Sequence, residues 1–231
     1  MCKLLNMVKQ DTVPALGCTE PVAVAYAAAM AKKYLTGTID NIVITVSKNI
    51  FKNGKSVIIP NTNEWGLDLA GALGVLGGNP DNCLMVLKDI DDHTIEIAHR
   101  MIKDGKIAVA CVEKTLDIYV NIVVKSSKEL VEVVLTNSHT HIEWVKVNGE
   151  IVFENSVDKD DKTSSDFLKK ITFKEIREIC ETIPLEELNF IKDGIEMNKR
   201  AAKRGMEEGK GLKIGATFTK LQEEGKLCRD A

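Results

Sequence analysis

The chain has 231 residues, of which 44% are hydrophobic and 28% charged, the composition of an ordinary globular protein rather than a disordered, collagen-like or low-complexity one. A chain this long can bury roughly 70–75% of the surface its unfolded form exposes, so it needs no disulfide or metal staple to hold a core. With Lys+Arg 31 against Asp+Glu 34 and a formal charge of -3, there is no global basic field for nucleic acid or an anionic membrane, and the expected partners are small molecules or other protein chains.

The N-terminal run Met1 to Met7 is too short in apolar residues for a signal peptide, and no stretch of 18 apolar residues predicts a membrane span. Residues 1–12 form a short helix stopped by Pro14. A turn-rich stretch, Pro14 to Pro21, leads into a helix from Glu20 to about Leu35, with Pro21 in its first turn, where a missing N–H costs nothing. Val22 to Met30 leave no polar face, so this helix is expected to be buried. Thr38–Val46 alternates as a strand. Ser47-Lys48-Asn49 follows, then the turn signal Asn53-Gly54 and a short strand at Val57–Ile59 ended by Pro60. Residues 65–78 have helical spacing, and Gly71, Gly74 and Gly77 within them make sense if another backbone packs closely there.

Asp92–Lys103 is a further helix. From Lys106 the period changes to two, with strands at 106–113, 116–124, 130–136, 141–147 and 150–153, and Asn148-Gly149 is a hairpin signal. Leu116, Ile118, Val120, Ile122 and Val124 share one face. Residues 155–166 read as a polar linker. Beyond them Thr172 and Glu175 form a capping box, and helices run to Thr182, from about Leu185 to Arg204 and from about Gly215 to Lys226. The predicted class is α+β: an antiparallel sheet with buried helices, followed by a helical C-terminal segment. The domains are 1–155 and 163–231.

The six cysteines, Cys2, Cys18, Cys83, Cys111, Cys180 and Cys228, form no CxxC pair. They read as reduced thiols of a cytoplasmic protein, mostly buried as small hydrophobes. Cys18 stands apart because it sits at the start of a buried helix. The positive helix end favours a thiolate, the form that ligates metals and attacks electrophiles; the alternative is a small residue in a tight turn. His139-x-His141, with only Glu143 nearby, is too little for a zinc site. Gly71 to Gly78 is no dinucleotide fingerprint.

The segment Pro14-Ala15-Leu16-Gly17-Cys18-Thr19-Glu20-Pro21, continuing through Ala27, resembles the N-terminal signature of the L-cysteine desulfidase family, related to the alpha chain of iron–sulfur L-serine dehydratases. Val46 to Asn53, Ile59 to Thr62, Gly66 to Gly78 and Ser138-His139-Thr140 resemble the same family; where it usually continues with Asn, this chain has His141. The resemblance implies a lyase that carries a [4Fe–4S] cluster on three cysteines, with Cys18 matching the first and the other two expected outside this chain. It also implies α,β-elimination of L-cysteine to pyruvate, ammonia and sulfide. The alternatives are L-serine dehydratase, and a non-catalytic N-terminal domain or assembly module needing a second chain. Family members are considerably longer, so the chain is expected to be the N-terminal portion and inactive alone.

Within that resemblance Ser47, Lys48 and Asn49 suit a substrate carboxylate, against the alternative of a solvated strand end. Asn61 and Thr62 offer donors, or serve turn chemistry. His139 is the candidate proton-transfer residue, with Thr140 beside it in the pocket; a turn histidine bonded to backbone is the alternative. His93 and His99 are expected on the surface.

Overall fold

A computed structural model describes residues 3–155, 166–209 and 212–227. Contacts divide the chain into two compact units, residues 13–159 and residues 1–12 with 160–231. The sequence reading puts residues 1–12 in the first domain; the structure groups them with the C-terminal helices. The predicted linker falls almost wholly outside the described residues, as do Cys2 and Cys228.

The larger unit is α+β. Its helices are α2 (Thr19–Lys33), α3 (Lys48–Gly54), α4 (Leu67–Gly77), a short 3-10 turn (Pro80–Met85) and α5 (Asp92–Lys103). The strands β1 (Ile39–Ser47), β2 (Ile107–Val112), β3 (Tyr119–Ser126), β4 (Leu130–Thr136), β5 (Ile142–Val147) and β6 (Glu150–Glu154) form one sheet in the order β2-β1-β3-β4-β5-β6. β3 to β6 are the expected meander. β2 is not its first strand: it pairs in parallel with β1, Ile42 opposite Ile107, after a crossover that contains α3, α4 and α5. Asn148 (φ 51°) and Gly149 (φ 90°) both take the left-handed backbone of a two-residue hairpin turn, as their sequence predicts.

One sheet face is the core. Ile42, Ile44, Val46, Val120, Ile122, Val124, Val131, Val133 and Leu135 are all 0% exposed. Leu116, placed on that face from the sequence, is 53% exposed and precedes β3. Packed in the same core is α2, buried at every residue from Pro21 to Ala29. It touches β3, β4, α3, α4 and the 3-10 turn, which is why it has no polar face. The crossing with α4 is backbone on backbone: a Cβ on Gly74 would collide with the carbonyl oxygen of Ala25 and stand 2.8 Å from its Cα. The glycine's helix cost of about 1 kcal/mol is thereby set against a contact that no larger residue permits.

Ser47-Lys48-Asn49 does not lead into a turn. Ser47 caps α3, its Oγ accepting from the Ile50 N–H, and Asn53-Gly54 is the last turn of that helix. The sequence reading misses α3 because its seven residues show too few turns for a period to emerge.

The smaller unit holds α1 (Lys3–Asp11), α6 (Phe173–Thr182), a 3-10 turn (Leu185–Leu188), α7 (Asn189–Glu207) and α8 (Ile214–Glu223). Lys9 Nζ meets Glu187 Oε2 at 2.7 Å. The capping box at Thr172 and Glu175 forms in both directions. Among the described residues of this unit, Leu5 is the one that is buried.

Gly74→Ala tests the backbone contact. Despite alanine's better helix propensity it is expected to destabilise the fold by about 1–3 kcal/mol in urea unfolding, because the added methyl must push α2 and α4 apart.

Candidate active site

The sheet register collects the sequence motifs at one end. β1 ends at Ser47, β3 starts at Tyr119 opposite Thr136, and Leu135 is paired with Ile142. So Ser47, the 117–119 segment and the β4–β5 turn lie at the same end of the sheet. The α2 N-terminus comes to this place through its packing on α3 and β4.

Cys18 is the N-cap of α2 but caps nothing with its side chain. Its thiol, half-buried, donates to Glu20 Oε2 at 2.7 Å. Asn53 Nδ2, from the last turn of α3, donates to Glu20 Oε1 at 2.9 Å, and the Thr19 hydroxyl donates to Oε2 at 3.4 Å. Glu20 thus collects three donors. Burial pushes its pKa up, but the bonds from Cys18 and Asn53 outweigh that and hold it below the ordinary carboxylate value. The expectation of a Cys18 thiolate is corrected: desolvation first, then the hydrogen bond to Glu20, push the thiol above its usual pKa. Burial and the carboxylate together keep the proton on sulfur.

His139 is half-buried in the β4–β5 turn, between Ser138 and His141, where the His141 N–H donates to the Ser138 carbonyl at 3.3 Å. Burial lowers its pKa, partly opposed by the attraction of the Glu20 carboxylate. Cys18, Glu20, Asn53 and His139 are therefore one electrostatic group.

The remaining predicted residues have structural partners. Ser47 is buried, and its hydroxyl donates to the Asp117 carbonyl at 2.7 Å. Asn49 Nδ2 reaches Asp117 Oδ1 at 3.3 Å. Lys48 is exposed, 3.8 Å from Glu113. Asn61 (φ 62°) spends its amide on the carbonyls of Leu87 and Lys88, and Thr62 donates to those of Ile59 and Glu64. Their loop still borders the site, because Gly17 (φ 76°) packs against Pro60. Thr140 is half-buried beside His139. His141 is drawn away to Glu143, 3.6 Å from its Nε2, while Glu143 accepts from Thr136 at 2.6 Å. His93 and His99 are exposed, His99 Nε2 3.0 Å from Glu64.

Glu20, Asn53 and Asp117 are not among the site residues expected from the sequence. Glu20 was legible as a carboxylate two residues after Cys18. Asn53 becomes visible only once α3 is a helix, four residues after Asn49. Asp117 carries no local signal. The cysteines also differ from expectation: Cys83, Cys111 and Cys180 are exposed, not buried.

Fold and site together define an α+β protein with a thiol–carboxylate pair at the start of a buried helix. No protein-family model matches the chain, and no solved structure does. It is 50% identical over 231 residues to a UPF0597 protein of Clostridium botulinum (strain Okra / Type B1), a match covering 99% of this chain and 53% of the relative. It is 35% identical over 214 residues to a UPF0597 protein of Clostridium tetani (strain Massachusetts / E88), covering 92% and 51%. It is 33% identical over 227 residues to a UPF0597 protein of Actinobacillus pleuropneumoniae serotype 5b (strain L20), covering 98% and 52%. The chain spans about half the length of the curated relatives it matches. Among the described residues no helix is long and apolar enough to cross a membrane.

Two titrations check this geometry. Iodoacetamide is expected to alkylate Cys18 more slowly than free cysteine at pH 7.5, a condition near the unperturbed thiol pKa, and faster in Glu20→Gln, which removes the negative charge that opposes the thiolate. In proton NMR the His139 midpoint is expected below the ordinary histidine value, and lower still in Glu20→Gln. The sign follows from burial: the neutral ring is favoured in the folded state. The stability this gives is present above the unfolded pKa and is lost as pH falls through it toward the folded one.

Proposed function

We propose that this chain contributes one side of an iron–sulfur-dependent lyase site that eliminates sulfide from L-cysteine, with pyruvate and ammonia as the final products. The observation that carries the reading is the pairing of a free, half-buried thiol with a carboxylate at 2.7 Å. A thiol must lose its proton to ligate a metal, and the Glu20 carboxylate is the hydrogen-bond acceptor of that proton.

The fit to a cluster is partial. Among the described residues no group of three His, Cys, Asp or Glu side chains is arranged to hold a metal ion. Cys83 lies in the 3-10 turn, Cys111 in β2 and Cys180 in α6 of the other unit. Cys18 suits one ligand position, and the others belong to polypeptide outside the described residues. When bound, a cluster would supply a Lewis-acidic iron for the leaving sulfur.

The chain's own residues supply the rest. Asn53 orients the Glu20 carboxylate on the Cys18 thiol, and the pair holds the proton on sulfur until the sulfur is ligated. His139, held neutral by burial, is able to take a proton from the substrate α-carbon. The absence of three ligands among the described residues favours a second reading, a domain that shapes the site while a second polypeptide carries the catalytic ligands. L-serine, losing water in place of sulfide, is the alternative substrate.

The test is anaerobic reconstitution with iron and sulfide of the chain together with the polypeptide that the relatives carry outside the match. Broad visible absorption and sulfide release from L-cysteine are expected, both lost in Cys18→Ala. Full sulfide release by Cys18→Ala would sink the lyase reading. Absorption without turnover of either amino acid would favour the non-catalytic one.

A further inference from the structure

In the larger unit the helix glycines are accounted for by neighbours: Gly74 meets the Ala25 backbone, and Gly71 meets Ile44. Gly194 and Gly205, inside α7, are not. A Cβ built on either meets nothing within 4 Å. Each weakens its helix relative to alanine, with no contact among the described residues to offset the loss.

The two glycines are eleven residues apart, three helical turns, and so share a face. Ile191, Ile195, Asn198, Ala201 and Ala202 fall on the same side at spacings of three and four. The charges of α7 lie on the other side, Lys199 with Glu196 and Lys203 with Glu207, while Arg204 pairs with Glu208, the C-cap at the edge of the face. What α7 leaves open is thus mostly small and apolar, with Asn198 the polar residue on it, its amide donating to the Gly194 carbonyl at 3.0 Å. Beside it, Ala202, Gly205, Met206, Leu212 and Ile214 line an open groove of about 750 Å³. Phe173 is 90% and Leu212 88% exposed. Amphipathic helices gain most of their stability from burying the apolar face, and here the described residues of 166–227 include no buried one.

We propose that the small-residue face of α7 seats a helix from the polypeptide that the relatives carry outside the matched region, backbone close to backbone at Gly194 and Gly205. Its occupant is argued from length and shape. The match takes in 99% of this chain but 53% of the Clostridium botulinum relative, so the relatives hold roughly as much sequence again. A glycine-centred face fits a helix at close approach, and Lys213 is the charged residue lining the groove beside it. The inference does not rest on the lyase reading.

The experiment is co-expression of the full chain with a tagged polypeptide made of the part of that relative outside the match, without added iron, followed by light scattering after size exclusion. A one-to-one complex is expected. Gly194→Leu with Gly205→Leu is expected to weaken it by about ten-fold or more, with helix content by circular dichroism unchanged or raised, since leucine is the better helix former. Cys18→Ala is expected to assemble normally, which separates this result from failure of the catalytic proposal. Two polypeptides that elute apart would overturn the inference, as would a leucine variant that binds like the parent. A dimer of the chain alone that the same leucines split would make a second copy the occupant and overturn it too.

Discussion

The backbone-on-backbone contact between α2 and α4 governs where everything else in the larger unit can sit. Gly74 has no side chain and α2 presents mostly alanines, so the two helices approach until Ala25 fills the space a Cβ would take. Alanine loses no side-chain entropy on burial, so a helix enclosed on all sides is cheap in this composition. Its enclosure fixes both its ends. The N-terminal end, with Cys18 and Glu20, is held against α3 and at the sheet end where β1 stops and β4 turns.

At that end two electrostatic effects compete for Cys18. A helix N-terminus favours an anion by about 0.3–1 kcal/mol. Two unit negative charges 4 Å apart repel by about 4 kcal/mol at an effective dielectric of 20. Glu20 is closer than that and is itself stabilised as the anion by Asn53. Desolvation of the half-buried thiol comes first and the hydrogen bond to Glu20 second, and together with this repulsion they outweigh the helix end, so the thiol stays protonated until something else takes the sulfur. The pair is a proton-holding arrangement rather than a free nucleophile.

The smaller unit obeys a different constraint. Its helices have strong local signals, with the Thr172 capping box and ion pairs at spacings of three and four residues, yet they bury almost nothing. Local propensity sets the helices, while their apolar faces and the glycines of α7 find no packing partner among the described residues.

The periodic elements were legible because burial writes its period into the residues. α5 was read to the residue, β4 likewise, and the all-apolar run of α2 announced its enclosure. The hairpin at Asn148-Gly149 was legible because few residue pairs accept two left-handed conformations. What the sequence did not show was relational. β2 has the alternation of a meander strand, and nothing local says that it pairs in parallel with β1 across three helices. α3 is too short for a period. Cys18 was legible as the first residue of interest, but the sign of its pKa shift was not, since that depends on where Glu20 turns and what Asn53, 33 residues away from it, donates. The sequence by itself determined the local conformations and the chemistry available, because these follow from side-chain type and spacing. Only the tertiary structure decided which charges meet and which strands pair, because those depend on distances between residues far apart in the chain.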